Sequence, residues 1–124
     1  MNCETCQFPI LYHMGETLRF TVDVLIWNEE TKAYEGVSSL DDWSAEYILR
    51  QKSTDTILTF TTEGVGITKS GYSFIVSVDA SELEGVEPGK VEHEFNHTDE
   101  SGGVTIVFND IITVKTSLKW QTSQ

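Results

Sequence analysis

Apolar and polar residues alternate along most of this chain with the period of two that belongs to a strand with one buried face. Between residues 18 and 26 the even positions Leu18, Phe20, Val22, Val24 and Ile26 are all apolar, while Arg19, Thr21 and Asp23 fall on the other side. Residues 28–37, rich in Glu, Thr and Lys, predict a solvated loop or hairpin. In residues 43–50 the odd positions Trp43, Ala45, Tyr47 and Leu49 make a second buried face, introduced by the acidic turn Leu40-Asp41-Asp42. Further strands are expected over residues 56–62, with Leu58 and Phe60 inward, and from Ile67 to the turn at Ser70 and Gly71. Tyr72, Phe74, Val76 and Val78 then alternate with Ser73, Ser77 and Asp79, the pattern of a central strand.

Residues 80–84 read as one helical turn begun by Asp79 or Ser81, and Pro88-Gly89 turns the chain into a strand over residues 91–95. Glu100-Ser101-Gly102-Gly103 closes a hairpin onto residues 104–108, and a last strand, residues 111–114, follows a turn or bulge at Asn109-Asp110. About seven or eight short strands with turn signals between them, and no helix of real length, predict an antiparallel β-sandwich. One domain is expected over residues 15–117, with an extended N-terminal arm, residues 1–14, and a C-terminal tail, residues 118–124.

Composition narrows the partners. The chain has 124 residues, 39% of them hydrophobic, enough for one core without help from disulfides or metals. Its 8 basic and 20 acidic residues give a formal net charge of -12, a sign that repels phosphate backbones and anionic lipids. Neither nucleic acid nor a membrane is therefore an expected partner. The start carries Glu4 where a secretory signal has basic residues, and Pro9 and His13 interrupt its apolar cluster, so a reducing cytosol is the expected place of synthesis.

The order of motifs is distinctive. Gly15-Glu16-Thr17 leads into an alternating strand, and Tyr47-Ile48-Leu49-Arg50 follows a polar loop. Then come Gly71-Tyr72-Ser73-Phe74-Ile75-Val76-Ser77-Val78, Ser81-Glu82-Leu83, and Val86-Glu87-Pro88-Gly89-Lys90-Val91-Glu92-His93-Glu94-Phe95, ahead of a glycine-containing hairpin and a final strand. Over residues 15–117 this resembles the small immunoglobulin-like domains of tailed-phage virion proteins, including the N-terminal domains of baseplate upper proteins. Glu16 stands where that family usually has Asp, Val91 where it prefers Tyr, and Asn109-Asp110 where a Gly often closes the last hairpin. The resemblance implies an immunoglobulin-like sandwich that serves as a structural or adaptor module of a phage particle, with no catalytic residues to carry over.

Candidate chemistry starts with Cys3 and Cys6, a lone C-x-x-C. Two thiolates are half of a structural zinc site, so zinc could be held with His13 or between copies of the chain. Redox chemistry wants the motif at the start of a helix, which Pro9 discourages; an arm whose thiols stay reduced or crosslink to a neighbour is the other reading. His93 and His97 have H-x-x-x-H spacing, yet four residues of strand span roughly 13 Å, too far for one metal. His93 alternates with Val91 and Phe95 and is expected to be a sheet residue with a hydrogen-bond partner. The carboxylate pairs Glu29-Glu30, Asp41-Asp42, Glu92 with Glu94, and Asp99-Glu100 read as solvated faces.

No nucleophile elbow, P-loop or dinucleotide fingerprint occurs, and an enzyme is not expected. The expected function is a non-enzymatic virion component, made in the host bacterial cytoplasm and present as a homo-oligomer within the particle. It would dock to capsid or tail proteins, in the baseplate or a fibre, through its arm and its sheet edges. The partner-binding candidates are Phe8, Ile10, Leu11 and Tyr12 on the arm, with Trp27 and Trp120, which escape the inward alternation. The alternative is a carbohydrate- or receptor-binding module using its surface aromatics.

Overall fold

The computed structural model describes residues 8–116. Ten strands run in chain order: β1 (Leu11–His13), β2 (Leu18–Asp23), β3 (Leu25–Asn28), β4 (Ala33–Gly36), β5 (Ser44–Gln51), β6 (Thr56–Thr61), β7 (Ile67–Ser70), β8 (Ser73–Val78), β9 (Gly89–Thr98) and β10 (Val104–Lys115). Short 3-10 turns, Lys52–Thr54 and Ala80–Leu83, are the only helical pieces among the described residues. The strands form a five-stranded sheet in the order β1-β10-β9-β5-β6, a three-stranded sheet β2-β8-β7, and a separate β3-β4 pair.

Alternation explains how the two larger sheets meet. In β2 the buried residues are Leu18, Phe20 and Val22, in β8 Phe74, Val76 and Val78, and in β5 Ala45, Tyr47, Leu49 and Gln51. Rings from the opposing sheets interlock: Phe20 meets Tyr47 (5.0 Å) and Phe95 (6.1 Å) edge to face, and Phe74 lies tilted 5.9 Å from Phe95. The chain is thus all-β, with two sheets packed on one aromatic-rich core.

Polar anchors hold the loops to this frame. Gln51 is buried at the end of β5 and pairs both ends of its amide with the Glu87 backbone: Nε2 donates to Glu87 O and Oε1 accepts from Glu87 N–H, each at 2.8 Å. Its side chain acts as a stretch of strand and fixes the loop ahead of β9. Lys69 Nζ donates to the carbonyls of Leu40 (3.1 Å) and Trp43 (3.0 Å), tying the acidic turn to β7.

In the layout of its strands the structure departs from the sequence expectation at three places. The strand expected over residues 18–26 ends at Asp23. Val24 is buried and clamped, donating to Tyr72 O (2.8 Å) and accepting from Val37 N–H (3.1 Å), and the chain leaves the sheet there, so Ile26 is exposed, not inward. The last two strands are one: β10 runs unbroken through Asn109 and Asp110, and its irregularity comes earlier, where the register slips between Ile106 and Phe108. The extra residue, Val107, turns Phe108 inward to meet Phe20 and His93.

The third departure concerns the arm. From residue 8 onward it is part of the sandwich, because β1 adds to the five-stranded sheet beside the end of β10, with Tyr12 opposite Val114. This ladder is parallel, while every other pairing between strands is antiparallel.

Candidate functional site

Four regions carry the chemistry singled out in the sequence. The first is the N-terminal segment. Phe8 packs on Phe108 with ring centroids 4.3 Å apart. Tyr12 is buried, and its hydroxyl donates to Glu16 O at 2.7 Å. Burial and a nearby carboxylate raise the Tyr12 phenol above its usual range, the former more than the latter. Of the residues expected to bind partners, Tyr12 is buried in its own domain, where β1 pairs with β10, and Phe8 is half-buried against the core. Ile10 and Leu11 stay exposed. Cys3, Cys6 and Trp120 lie outside the described residues.

The second region contains the two histidines of β9. Both point into the core, on either side of Phe95. His93 Nδ1 meets the Tyr47 hydroxyl at 2.9 Å, and burial pushes the imidazole down to about 4 against the weaker pull of Asp110. Desolvation also drives the Tyr47 phenol up. His97 lies between Trp43 (5.4 Å) and Phe74 (5.9 Å); it too is lowered by burial, opposed by Asp99. The H-x-x-x-H spacing therefore supplies two core aromatics, and among the described residues no three His, Cys, Asp or Glu side chains gather closely enough to hold a metal. His13, the other histidine weighed for zinc, is at the end of β1 with Nδ1 3.2 Å from Glu16 Oε1.

The third region is the outer face of the five-stranded sheet, where Ile48, Arg50, Ile57, Glu92, Glu94 and Asn109 border a shallow groove of about 270 Å³. Arg50 donates to Glu92, Lys52 stands 3.5 Å from it, and the Arg50 hydrogen bond before all else holds the Glu92 carboxyl below the usual range. Glu94 accepts from Asn96 (3.0 Å) and Asn109 (2.8 Å). A paired carboxylate of lowered pKa has no proton to donate near neutrality, so Glu92 is unsuited to general-acid work.

The fourth region is the β3-β4 hairpin, and here the exposed chemistry collects. Its tip is built by Asn28, whose Oδ1 accepts from the N–H groups of Glu30 (2.8 Å) and Thr31 (3.3 Å) while Nδ2 donates to Glu35 Oε1 at 2.7 Å. Trp27 stands directly across from Tyr34, and Leu25 across from Gly36, so these four share one face. The Trp27 and Tyr34 rings meet edge to face at 5.1 Å, with residue exposures of 44% and 59%. Tyr72, 43% exposed, lies flat over Gly36, where a Cβ would come within 2.3 Å of the ring. Glycine is required there because any side chain would displace Tyr72. Three accessible aromatics thus line one face of a short, firmly turned hairpin.

Trp27 was expected as a surface aromatic; Tyr34 and Tyr72 were not. Tyr34 falls in the segment read as a solvated loop, and Tyr72 continues the inward alternation of β8 by sequence parity, although β8 begins one residue after it. The available signal was the near-mirror placement of Trp27 and Tyr34 about a turn, followed by a glycine that leaves room for a ring. Around the same hairpin, Ile26, Glu29, Glu30 and Glu35 border an open depression.

Among the described residues no helix is long and apolar enough to cross a membrane. No protein-family model matches the chain, and no curated protein sequence matches it.

Proposed function

We propose that this chain is a non-enzymatic structural or adaptor domain of a tailed-phage virion, with an immunoglobulin-like sandwich that docks to capsid or tail proteins through exposed strands. The observation that carries the reading is the projecting β3-β4 hairpin: a rigid turn, three accessible aromatics on one face, and no buried residue in either strand. Aromatic side chains presented on a firm backbone dominate protein interfaces because they bury large area at small entropic cost. The sandwich supports the family likeness, since its motifs take the expected structural roles. Gly15-Glu16-Thr17 precedes β2, Gly89 opens β9, and Asp99 to Gly103 close the hairpin into β10. In this reading the chain is present in several copies in the particle, and its net charge of -12 disfavours nucleic acid and anionic membranes as partners.

The test is particle incorporation. Particles assembled with a Trp27→Ala, Tyr34→Ala double variant should contain at most a tenth of the normal amount of this chain, while the isolated variant stays folded. Normal incorporation of the variant, or absence of the unaltered chain from purified particles, contradicts the proposal.

The same aromatic row favours one second reading, a carbohydrate- or receptor-binding module. Glycan-array or cell-binding signal that disappears on Trp27→Ala, with particle incorporation intact, selects it over docking.

A further inference from the structure

The hairpin is more than an aromatic patch. β4 pairs only with β3, and no backbone hydrogen bond from any other strand reaches its second edge among the described residues. An open edge is a row of free N–H and C=O groups, which proteins commonly guard with lysine, proline, a bulge or extreme shortness. β1, an edge of the five-stranded sheet, is only three residues long. β4 has the sequence Ala33-Tyr34-Glu35-Gly36, exposed throughout and without a cation or proline.

Charge then selects the occupant. The hairpin holds Glu29, Glu30 and Glu35 against a single cation, Lys32, which is 3.1 Å from Glu29. Glu35 receives only neutral donors, the Asn28 amide and the Thr31 hydroxyl, and neither Glu30 nor Glu35 forms an ion pair among the described residues. By strand alternation Glu35, across from Ile26, lies on the face opposite Trp27 and Tyr34, so the hairpin offers a guanidinium or ammonium a carboxylate on one face and ring faces on the other. A neutral sugar would stack on the rings and donate hydroxyls to the carboxylates, but it would neither pair with the free backbone edge in a ladder nor carry the charge that makes binding salt-dependent.

Building on the docking reading above, we infer that β4 takes an extended, arginine- or lysine-bearing segment of a partner protein as a third strand. The segment's backbone pairs with Ala33–Gly36, a cation on one face meets Glu35, a cation on the other face covers the Trp27-Tyr34 pair, and Glu30 at the turn adds to the attraction.

The experiment uses the full chain labelled with nitrogen-15 and three probes: a peptide of repeated Arg-Arg-Val-Val, whose arginines fall on both faces of a strand, the same peptide with glutamine for arginine, and cellohexaose. The expected result is that the arginine peptide shifts the amides of residues 33–36 and the Trp27 indole. Its affinity should fall at least tenfold from 50 to 300 mM salt, and by about as much with the glutamine peptide. Glu30→Gln with Glu35→Gln should weaken binding at least fivefold and keep the spectrum of the core, so the test does not depend on Trp27→Ala folding. Shifts confined to other strands, equal binding of the glutamine peptide, or a response to cellohexaose alone overturns the inference. The particle assay separates the two ideas: lost incorporation of the hairpin variant with no arginine-peptide binding removes the cationic strand but leaves docking. Normal incorporation with peptide binding at β4 removes docking but leaves the hairpin's chemistry.

Discussion

The β9-β10 and β3-β4 hairpins are made by the same local device and put to opposite uses. Asp99 Oδ1 accepts from the N–H groups of Ser101 and Gly103, each at 2.9 Å, much as Asn28 organises the other tip, and the Ser101 hydroxyl (2.7 Å) ahead of these backbone bonds holds the Asp99 carboxyl below its usual range. Beyond the tips the likeness ends. β9 buries Val91, His93, Phe95 and His97 and pairs on both sides, whereas β3 and β4 bury nothing and pair only with each other. A two-stranded hairpin is marginal on its own. This one is held at its base by Val24 and by Tyr72 lying over Gly36. Turn chemistry can make a hairpin, but only burial makes it part of the scaffold, and the hairpin left out of the core is the one free to bind.

The contrast can be broken most forcefully from the buried side. Phe95→Ala removes a ring that contacts Phe20 and Phe74, and it should lower unfolding free energy by about 3 to 5 kcal/mol in a urea titration. A loss below about 1 kcal/mol would mean that β9 is not the central strand of the core.

Acid acts on the same strand. The His93 imidazole is held at about 4 in the fold against 6.5 for a free histidine, so the unfolded chain binds a proton first as pH drops. Stability is fully present above about 6.5 and is lost as pH falls from there to about 4, by about 2 to 3 kcal/mol. His97, lowered in the same direction, steepens this loss, and the favourable pull of Asp110 and Asp99 on the two imidazoles is the smaller effect. Stability measured at several pH values checks the window; a flat profile between 6.5 and 4 contradicts the burial of both rings.

On the exposed side, effects should shrink. Gly36→Ala drives a methyl group into the Tyr72 ring and should cost about 1 kcal/mol, read as a small drop in Tm, together with movement of Tyr72 seen by NMR. Trp27→Ala with Tyr34→Ala should change stability least, by about 0.5 kcal/mol or less, while removing docking. If that pair of substitutions unfolds the chain, the hairpin belongs to the scaffold and the contrast fails.

Much of the scaffold was legible because alternation is written locally. Phe74, Val76 and Val78 face inward as their parity predicts, as do Ala45, Tyr47 and Leu49. Helpful too was the parity of His93, which pointed to a core residue, although its partner Tyr47 sits 46 residues away in sequence and left no local trace. What escaped was set by distant pairing. Residues 18–26 keep their alternation through Val24, and only the grip of Tyr72 and Val37 decides that the sheet ends before it. The apolar residues Phe8 and Tyr12 say that something will cover them, but not that the cover comes from the same chain, with Phe8 on Phe108 and β1 paired to β10. Of the candidate site, Trp27 was visible as a residue out of phase; Tyr34 and Tyr72 became visible only when the hairpin register and the ring over Gly36 set them beside it.

The parallel seam between β1 and β10 also imposes a timetable. Leu11, Tyr12 and His13 are made ahead of every other described strand, and the residues they pair with, Thr113, Val114 and Lys115, come at the end of the last described strand. During synthesis the first strand therefore waits with its apolar side chains uncovered while the sandwich assembles behind it, and the sheet is closed at this edge only when Lys115 has left the ribosome. Any molecule that offers β1 a strand during that interval competes with β10, so the speed of translation through the β9-β10 hairpin becomes a determinant of whether the domain closes on itself or on a neighbour.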